Sequence, residues 1–126
     1  MDFSSARRVA IAKADQAPDS TLDGAADLFQ AAKEVSVVDD IPGLVVLRSV
    51  AMLANDGGEA MLCGVASPSD IDRAMRYGVN YPLGPLEWAE RIGFNRILRT
   101  LEAMHAAYGD DRCALLLTRI GIIFRK

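Results

Sequence analysis

The stretch "SPSDIDRAMRYGVNYPLGP", residues 67–85, carries the densest group of side chains in the chain that could do chemistry. Asp70 and Asp72 could act as a general acid and base, or they could bind a metal ion. Side chains two positions apart on a helix point to different sides, however, and acidic residues in a first helical turn also stabilise the helix dipole. We therefore predict that both carboxylates cap a helix.

Other ionisable side chains that could do chemistry lie farther along the chain. The single histidine, His105, follows Leu101 by one helical turn and could be a general base. No orienting acid accompanies it in the sequence, which favours a half-buried helix residue. Arg91, Arg96 and Arg99 could bind phosphate groups, but the glutamates among them favour a solvent-exposed, salt-bridged face.

The loop that follows this acidic helix is the most promising binding feature. Two prolines and a glycine restrict its backbone, and an asparagine and a tyrosine offer polar groups on that rigid frame. Ligand contacts are often placed on such loops, although a simple turn between helices fits the composition equally well. The candidate substrate-binding residues are Asn80, Tyr81, Pro82, Leu83, Gly84 and Pro85.

Composition and motifs argue against several function classes. The 126 residues are 51% hydrophobic with a net charge of −3, and the basic residues are scattered, which disfavours nucleic-acid binding. Cys63 and Cys113 match no metal or redox spacing, so we predict free thiols in a reducing cytosol. The sequence has neither a G-x-G-x-x-G motif nor a P-loop, so no cofactor site is expected. With no apparent signal peptide or membrane span, we expect a cytoplasmic protein that does not bind membranes.

The first forty residues predict a short β-α-β unit. Residues 8–14 and 35–38 have the pattern of strands, and between them a helix is expected to begin with Ser20 as N-cap and Asp23 in a capping box. The two strands should be parallel with a right-handed crossover. A two-stranded sheet is not stable alone, and residues 112–126 are also apolar, so we expect self-association.

The rest of the sequence, after the β-α-β segment, predicts a helical domain. A helix should begin near Asp39 and Asp40, with Pro42 in its first turn, and end at Gly64, while the glycine pair at 57 and 58 suggests a kink or a close helix contact. Three more helices are expected: one capped by Ser67 or Ser69 and ending at Gly78, one at residues 86–92 after Pro85, and one from Phe94 to Tyr108. The fold class is mainly α, with a β-α-β segment at residues 1–40 and a helical domain at 41–126.

The segments "DDIPGLVVLR" and "GVASPSDIDRAMRYGVNYPLGPLEWAERIG" together resemble the C-terminal helical domain of 3-hydroxyacyl-CoA dehydrogenases. The family pattern runs D-x-P-G-F-V-x-N-R, N-E-A, G-V-A, D-I-D-x-A-M and G-x-P-x-G-P, and the resemblance covers residues 39 to about 108. It is closest to the second helical copy in the bacterial branch that acts on 3-hydroxyadipyl-CoA in phenylacetate degradation. It implies a helical domain like the C-terminal domain of 6-phosphogluconate dehydrogenase.

The resemblance also implies a function. Members oxidise 3-hydroxyacyl-CoA to 3-ketoacyl-CoA with NAD, using a His–Glu pair on a nucleotide-binding domain that this chain lacks. Leu47 occupies the position of the family asparagine and cannot donate a hydrogen bond to substrate. The chain would therefore be inactive alone and would shape the acyl-CoA pocket, while NAD would be held by a partner domain or subunit. The expected protein partners are a homodimer mate or a nucleotide-binding dehydrogenase subunit. The alternative is a degenerate helical assembly module with no ligand.

Overall fold

The computed structural model describes residues 5–109, which form two compact units that divide between Val45 and Val46. Seven elements follow in order: β1 (Arg8–Ile11), α1 (Asp19–Gln30), β2 (Glu34–Val37), α2 (Val46–Leu62), α3 (Pro68–Gly78), α4 (Pro85–Ile92) and α5 (Phe94–Tyr108). The prediction of a mainly α fold preceded by a β-α-β unit is confirmed. The apolar segment at residues 112–126 lies outside the described residues.

The first unit is a single parallel β-α-β arrangement. β1 and β2 are parallel, as the sequence predicts, and they pair in the register Arg8 with Glu34 through Ile11 with Val37. The Arg8 guanidinium spans the pair, donating hydrogen bonds to the Glu34 carboxylate and, at 2.9 Å, to the Ser36 hydroxyl. α1 packs on both strands, yet none of its residues is buried. Within the described residues, this unit therefore has a thin core.

The start of α1 differs from the prediction. The helix begins at Asp19, preceded by Pro18 in an extended conformation, and no side chain caps it. Ser20 is already inside the first turn, so its hydroxyl is not at the N-cap position. The Asp19 carboxylate instead forms an ion pair with Lys13. The predicted capping box of Ser20 and Asp23 is therefore wrong.

The second unit is built around α2, which packs against α3, α4 and α5. Gly57 lies on the buried face of α2, where a Cβ atom would be 3.5 Å from side-chain carbons of both Ile71 and Leu86. This is the close helix contact that the glycine pair suggested. Apolar side chains from α2, α4 and α5 form the core: Val50, Ala51, Ala54, Ala89, Ile97, Leu101 and Met104.

α2 begins later than expected. Asp39, Asp40 and Pro42 precede the helix instead of forming its first turn, and the first helical residue is Val46. Gly43 and Leu44 have φ angles of 78° and 48°, in the left-handed region that a right-handed helix cannot contain. The Pro42–Gly43 dipeptide therefore forms a turn. Among the described residues, no helix is long and apolar enough to cross a membrane.

Candidate functional site

The candidate loop joins α3 to α4, and its six residues differ in what they expose. Asn80 is exposed and adopts a left-handed φ of 58°, which asparagine tolerates better than most residues. Pro82 is also exposed, Tyr81 and Leu83 are half-buried, and Gly84 and Pro85 are buried. The side chains at positions 80–83 are therefore accessible to a ligand, whereas residues 84 and 85 determine the course of the backbone.

Tyr81 rests against the only tryptophan of the chain. The ring centroids of Tyr81 and Trp88 are 5.6 Å apart at an interplanar angle of 47°. Tilted aromatic pairs at this separation are favourable beyond the area that they bury. Trp88 lies one turn into α4 and also packs against the apolar core. The loop is thus connected to the core through a pair of aromatic rings.

Asp72 provides a second attachment for the loop. Its carboxylate accepts hydrogen bonds from the backbone N–H of Leu86 at 2.8 Å and of Glu87 at 3.1 Å, the first free amides of α4. A carboxylate at a helix N-terminus satisfies these amides and interacts favourably with the helix dipole. The prediction that Asp72 caps its own helix is wrong, because Asp72 caps the next one.

Ser67 and Asp70 behave as the sequence predicts. Ser67 is the N-cap of α3, and its hydroxyl accepts a hydrogen bond from the backbone N–H of Asp70 at 3.2 Å. The same hydroxyl donates to the Asp70 carboxylate at 2.6 Å. Within residues 5–109, no group of three or more histidine, cysteine or acidic side chains could hold a metal ion. The acidic pair of this stretch therefore stabilises two helix ends.

A groove of about 480 Å³ runs between α3 and α4. Side chains of α3 form one wall of the groove, and side chains of α4 and of the first residue of α5 form the other. Arg76 and Glu87 approach each other across it at 3.9 Å, and Glu87 also pairs with Arg91 at 3.0 Å. The latter pair confirms a salt-bridged surface around Arg91. The loop side chains at positions 80–85 are not part of the described groove wall.

Leu47 lies in the first turn of α2, half-buried and packed against the apolar core. The next residue, Arg48, places its guanidinium 4.8 Å from the centre of the Tyr108 ring, a cation–π contact between α2 and α5. His105 is half-buried in the last turn of α5, as predicted. Leu47 itself has no hydrogen-bonding atom in its side chain, so position 47 offers no group that could donate a hydrogen bond to a substrate.

Comparison with known families covers nearly the whole chain. Residues 43–121 match the 3-hydroxyacyl-CoA dehydrogenase C-terminal domain. The chain belongs to the 3-hydroxyacyl-CoA dehydrogenase family. Residues 1–42 match the reduced Rossmann-fold domain of 3-hydroxybutyryl-CoA dehydrogenase. The family resemblance read from the sequence is thereby confirmed.

Individual relatives within the dehydrogenase family agree with this assignment. The chain is 45% identical over 94% of its length to 3-hydroxyadipyl-CoA dehydrogenase of Escherichia coli K12, of which it covers 26%. It is 35% identical over 78% of its length to a probable 3-hydroxybutyryl-CoA dehydrogenase of Bacillus subtilis, covering 35% of that protein. It therefore spans roughly a quarter to a third of these relatives.

Solved structures of dehydrogenases share the fold. A 3-hydroxybutyryl-CoA dehydrogenase from Escherichia coli K12 superposes with a TM-score of 0.80 at 43% identity, covering 93% of this chain and 25% of that one. A (S)-3-hydroxybutyryl-CoA dehydrogenase from Ralstonia eutropha gives a TM-score of 0.80 at 28% identity, with coverage of 93% and 42%. The helical arrangement described here is thus that of known family members.

Proposed function

We propose that this chain supplies the helical-domain part of an NAD-dependent 3-hydroxyacyl-CoA dehydrogenase and has no turnover alone. The proposal rests on one observation. Over 94% of its length, the chain is 45% identical to a 3-hydroxyadipyl-CoA dehydrogenase, of which it covers 26%. The reaction of the assembled enzyme is the oxidation of a 3-hydroxyacyl-CoA to the 3-ketoacyl-CoA. We assign this reaction to fatty-acid β-oxidation or phenylacetate degradation, and we place the protein in the cytoplasm.

The contact with acyl-CoA is assigned to the loop between α3 and α4. Asn80 and Pro82 are exposed, and the Tyr81 ring is held against Trp88, so a ligand meets a surface that is already ordered. Preorganised groups bind with a smaller loss of conformational freedom. The Asn80 amide can donate and accept hydrogen bonds, and Tyr81 and Leu83 supply apolar area for the acyl chain. Gly84 and Pro85 act through the backbone.

NAD is assigned to a partner, which would be a nucleotide-binding dehydrogenase domain or subunit. The dinucleotide fingerprint G-x-G-x-x-G is absent from the 126 residues. The residues that the structure describes form only two parallel strands, whereas a dinucleotide lies across a larger parallel sheet. The residues present therefore do not fit NAD, and the hydride and proton transfers belong to the partner.

The test is the melting temperature of the purified chain with a panel of acyl-CoAs and, separately, with NAD. A ligand at about a hundred times its dissociation constant stabilises by about 2.7 kcal/mol. At this chain length, that raises the midpoint by roughly 10 °C. We expect a shift with at least one acyl-CoA and none with NAD. NADH formation by the chain alone would contradict the proposal.

Variants of the loop sharpen this test. Asn80→Gly removes the amide while keeping the left-handed backbone, and it should weaken the acyl-CoA shift without lowering the melting temperature of the free chain. Asn95→Ala changes an exposed asparagine of α5 outside the loop and should leave the shift intact. Equal shifts for both variants would show that the loop does not contact the ligand.

One observation favours a second function, that of a helical assembly module with no ligand. Leu47 stands where the family resemblance implies an asparagine, and it packs against the apolar core. A position that would hydrogen-bond to the substrate in family members therefore contributes to the core in this chain. A module of this kind would show no melting shift with any acyl-CoA. Association with other helical surfaces would then be its whole role.

A further inference from the structure

Trp88 lies between the candidate loop and the apolar core of the second unit. It contacts Tyr81 of the loop, with ring centroids 5.6 Å apart, and it also packs against the core cluster. Its backbone N–H donates a hydrogen bond to the Gly84 carbonyl at 2.9 Å. The residue is half-buried, so part of the indole remains accessible to a ligand. The ring is therefore held in position at the end of the loop.

The core next to the indole is closely packed. The cluster on which Trp88 packs includes Ala89, Ile97 and Leu101, and each of these three residues has an exposed fraction of 0%. Protein interiors contain few voids larger than a water molecule, and inserting extra methylene groups forces side chains out of their preferred rotamers. An acyl chain that lies on the loop therefore stops at the indole unless the core rearranges.

The apolar surface that the loop offers in front of the indole is short. Tyr81 and Leu83 are half-buried and Pro82 is exposed, so a ligand can touch all three residues. Asn80 on one side carries a polar amide, and Gly84 on the other side is buried. Apolar contact is therefore limited to three consecutive side chains and the accessible part of one indole.

We propose that Trp88 limits the length of the acyl chain bound at this loop, so that the ligands are CoA thioesters of unbranched acyl chains no longer than hexanoyl. This inference rests on the proposed contact of the loop with acyl-CoA, and it names the substrate class of that contact. Methylene groups that lie on Tyr81 and Leu83 gain affinity because they leave water. Methylene groups beyond the indole stay in water or displace the ring, and neither adds affinity.

A role of Trp88 in core packing alone would have a different consequence. Replacing a residue that only packs changes the stability of the chain and leaves the order of affinities among acyl-CoAs as it was. Replacing a residue that ends the acyl site changes that order, because only the longer chains reach the added space. The ratio of the affinities for a long and a short acyl-CoA therefore separates the two roles.

The experiment is isothermal titration calorimetry of the full chain with acetyl-, butanoyl-, hexanoyl-, octanoyl- and decanoyl-CoA. For the wild type, the dissociation constant should fall by up to about fourfold for each methylene added between acetyl and hexanoyl, the gain expected for complete burial. It should not fall further from hexanoyl to decanoyl. Trp88→Leu keeps an apolar side chain but removes the bicyclic ring. This variant should bind decanoyl-CoA about tenfold more tightly than the wild type does, and butanoyl-CoA within about threefold of the wild type.

Two further variants complete the test. Trp88→Phe keeps an aromatic ring beside Tyr81 and should show a smaller change in the same direction, and it replaces Trp88→Leu if that variant does not fold. Leu98→Ala removes side-chain volume from another residue that packs against the core, on α5. It should lower the melting temperature and keep the wild-type order of affinities. Circular dichroism establishes that each variant is folded.

The possible results distinguish the chain-length limit from the proposed function itself. A wild-type affinity that keeps rising from hexanoyl- to decanoyl-CoA would overturn the limit at Trp88. An unchanged ratio of decanoyl to butanoyl affinity in the Trp88 variants, or an equal change of that ratio in Leu98→Ala, would also overturn it, while acyl-CoA binding would stand. No binding of any acyl-CoA by the wild type would refute the contact of the loop with acyl-CoA, and the limit with it.

Discussion

Asp72 and Gly84 are so close that a Cβ atom at position 84 would lie 2.2 Å from the Asp72 carboxylate carbon. The same close approach of residue 84 to Asp72 also lets the Asp72 carboxylate cap α4. The chain brings the start of α4 directly onto the carboxylate, which accepts the N–H groups of Leu86 and Glu87. The end of the candidate loop and the beginning of α4 are therefore fixed by one side chain of α3.

Gly84→Ala should lower the free energy of unfolding by about 2 kcal/mol, the usual cost of an overpacked buried site. The added methyl group would meet the Cβ and the carboxylate carbon of Asp72, which cannot move away without losing the cap. Urea unfolding followed by circular dichroism measures the change. Gly78→Ala is the control, because a Cβ there meets nothing within 4 Å. Equal stabilities of the two variants would contradict the close packing of Asp72 on residue 84.

Asp72→Ala should shift the fluorescence emission of Trp88 to longer wavelength in the folded protein. Loss of the cap releases the start of α4 and with it the loop that holds Tyr81 against the indole. Trp88 is the only tryptophan, so the signal comes from this site alone. The loss of stability should be about 1 kcal/mol, as for other helix caps.

Ser67→Ala provides the matched control for that variant. It removes the side-chain cap of α3, with a similar cost of about 1 kcal/mol, but it does not touch the loop. Its native emission should equal that of the wild type. If Ser67→Ala and Asp72→Ala change the emission equally, the signal reports general loosening, and Asp72 has no special role in positioning the loop.

The difference between these two caps shows what the sequence could and could not predict. Ser67 caps a helix that begins at the next residue, so the signal is local and the sequence predicts it. Asp72 lies fourteen positions before Leu86, and its partner depends on how α3 packs against α4. Capping rules consider only a few neighbouring residues. A cap between two helices therefore requires the tertiary structure.

The sequence does not predict the start of α2, for a related reason. Asp39, Asp40 and Pro42 together form a helix-start signal, but Pro42 and Gly43 also form a turn signal. The two predictions compete, and the positive φ of Gly43 and Leu44 shows that the turn prevails. A non-glycine residue in the left-handed region is held there by its surroundings, and propensity alone does not predict it.

The candidate loop itself was predicted from composition, but the roles of its residues were not distinguished. Prolines, glycine and polar groups indicated a rigid connection, and the structure has a connection at that position. Burial of Gly84 and Pro85 and the packing of Tyr81 on Trp88 depend on helices that lie on either side in space. A sequence pattern does not contain these contacts.

Gly57→Ala should stabilise the chain by about 0.5–1 kcal/mol, because alanine is the better helix former. The new methyl group would lie 3.5 Å from carbons of Ile71 and Leu86, an ordinary packing distance. Gly57→Leu should instead destabilise by about 1–3 kcal/mol, since the larger side chain has no room between α3 and α4. Thermal and urea unfolding measure both changes. Stabilisation by leucine would show that the helices are not closely packed at this position.

Leu47→Asn, which introduces the residue type that the family resemblance implies at this position, should lower stability and still give no turnover. The side chain is half-buried and packs against the core, so replacing it with an amide should cost about 1 kcal/mol. Val46→Asn is the control, because Val46 is 59% exposed and its replacement should change stability by no more than about 0.5 kcal/mol. Melting temperature and NADH formation with a 3-hydroxyacyl-CoA and NAD measure the two effects. Turnover by Leu47→Asn would mean that position 47 alone keeps the chain inactive, and the assignment of the remaining chemistry to a partner subunit would then be wrong.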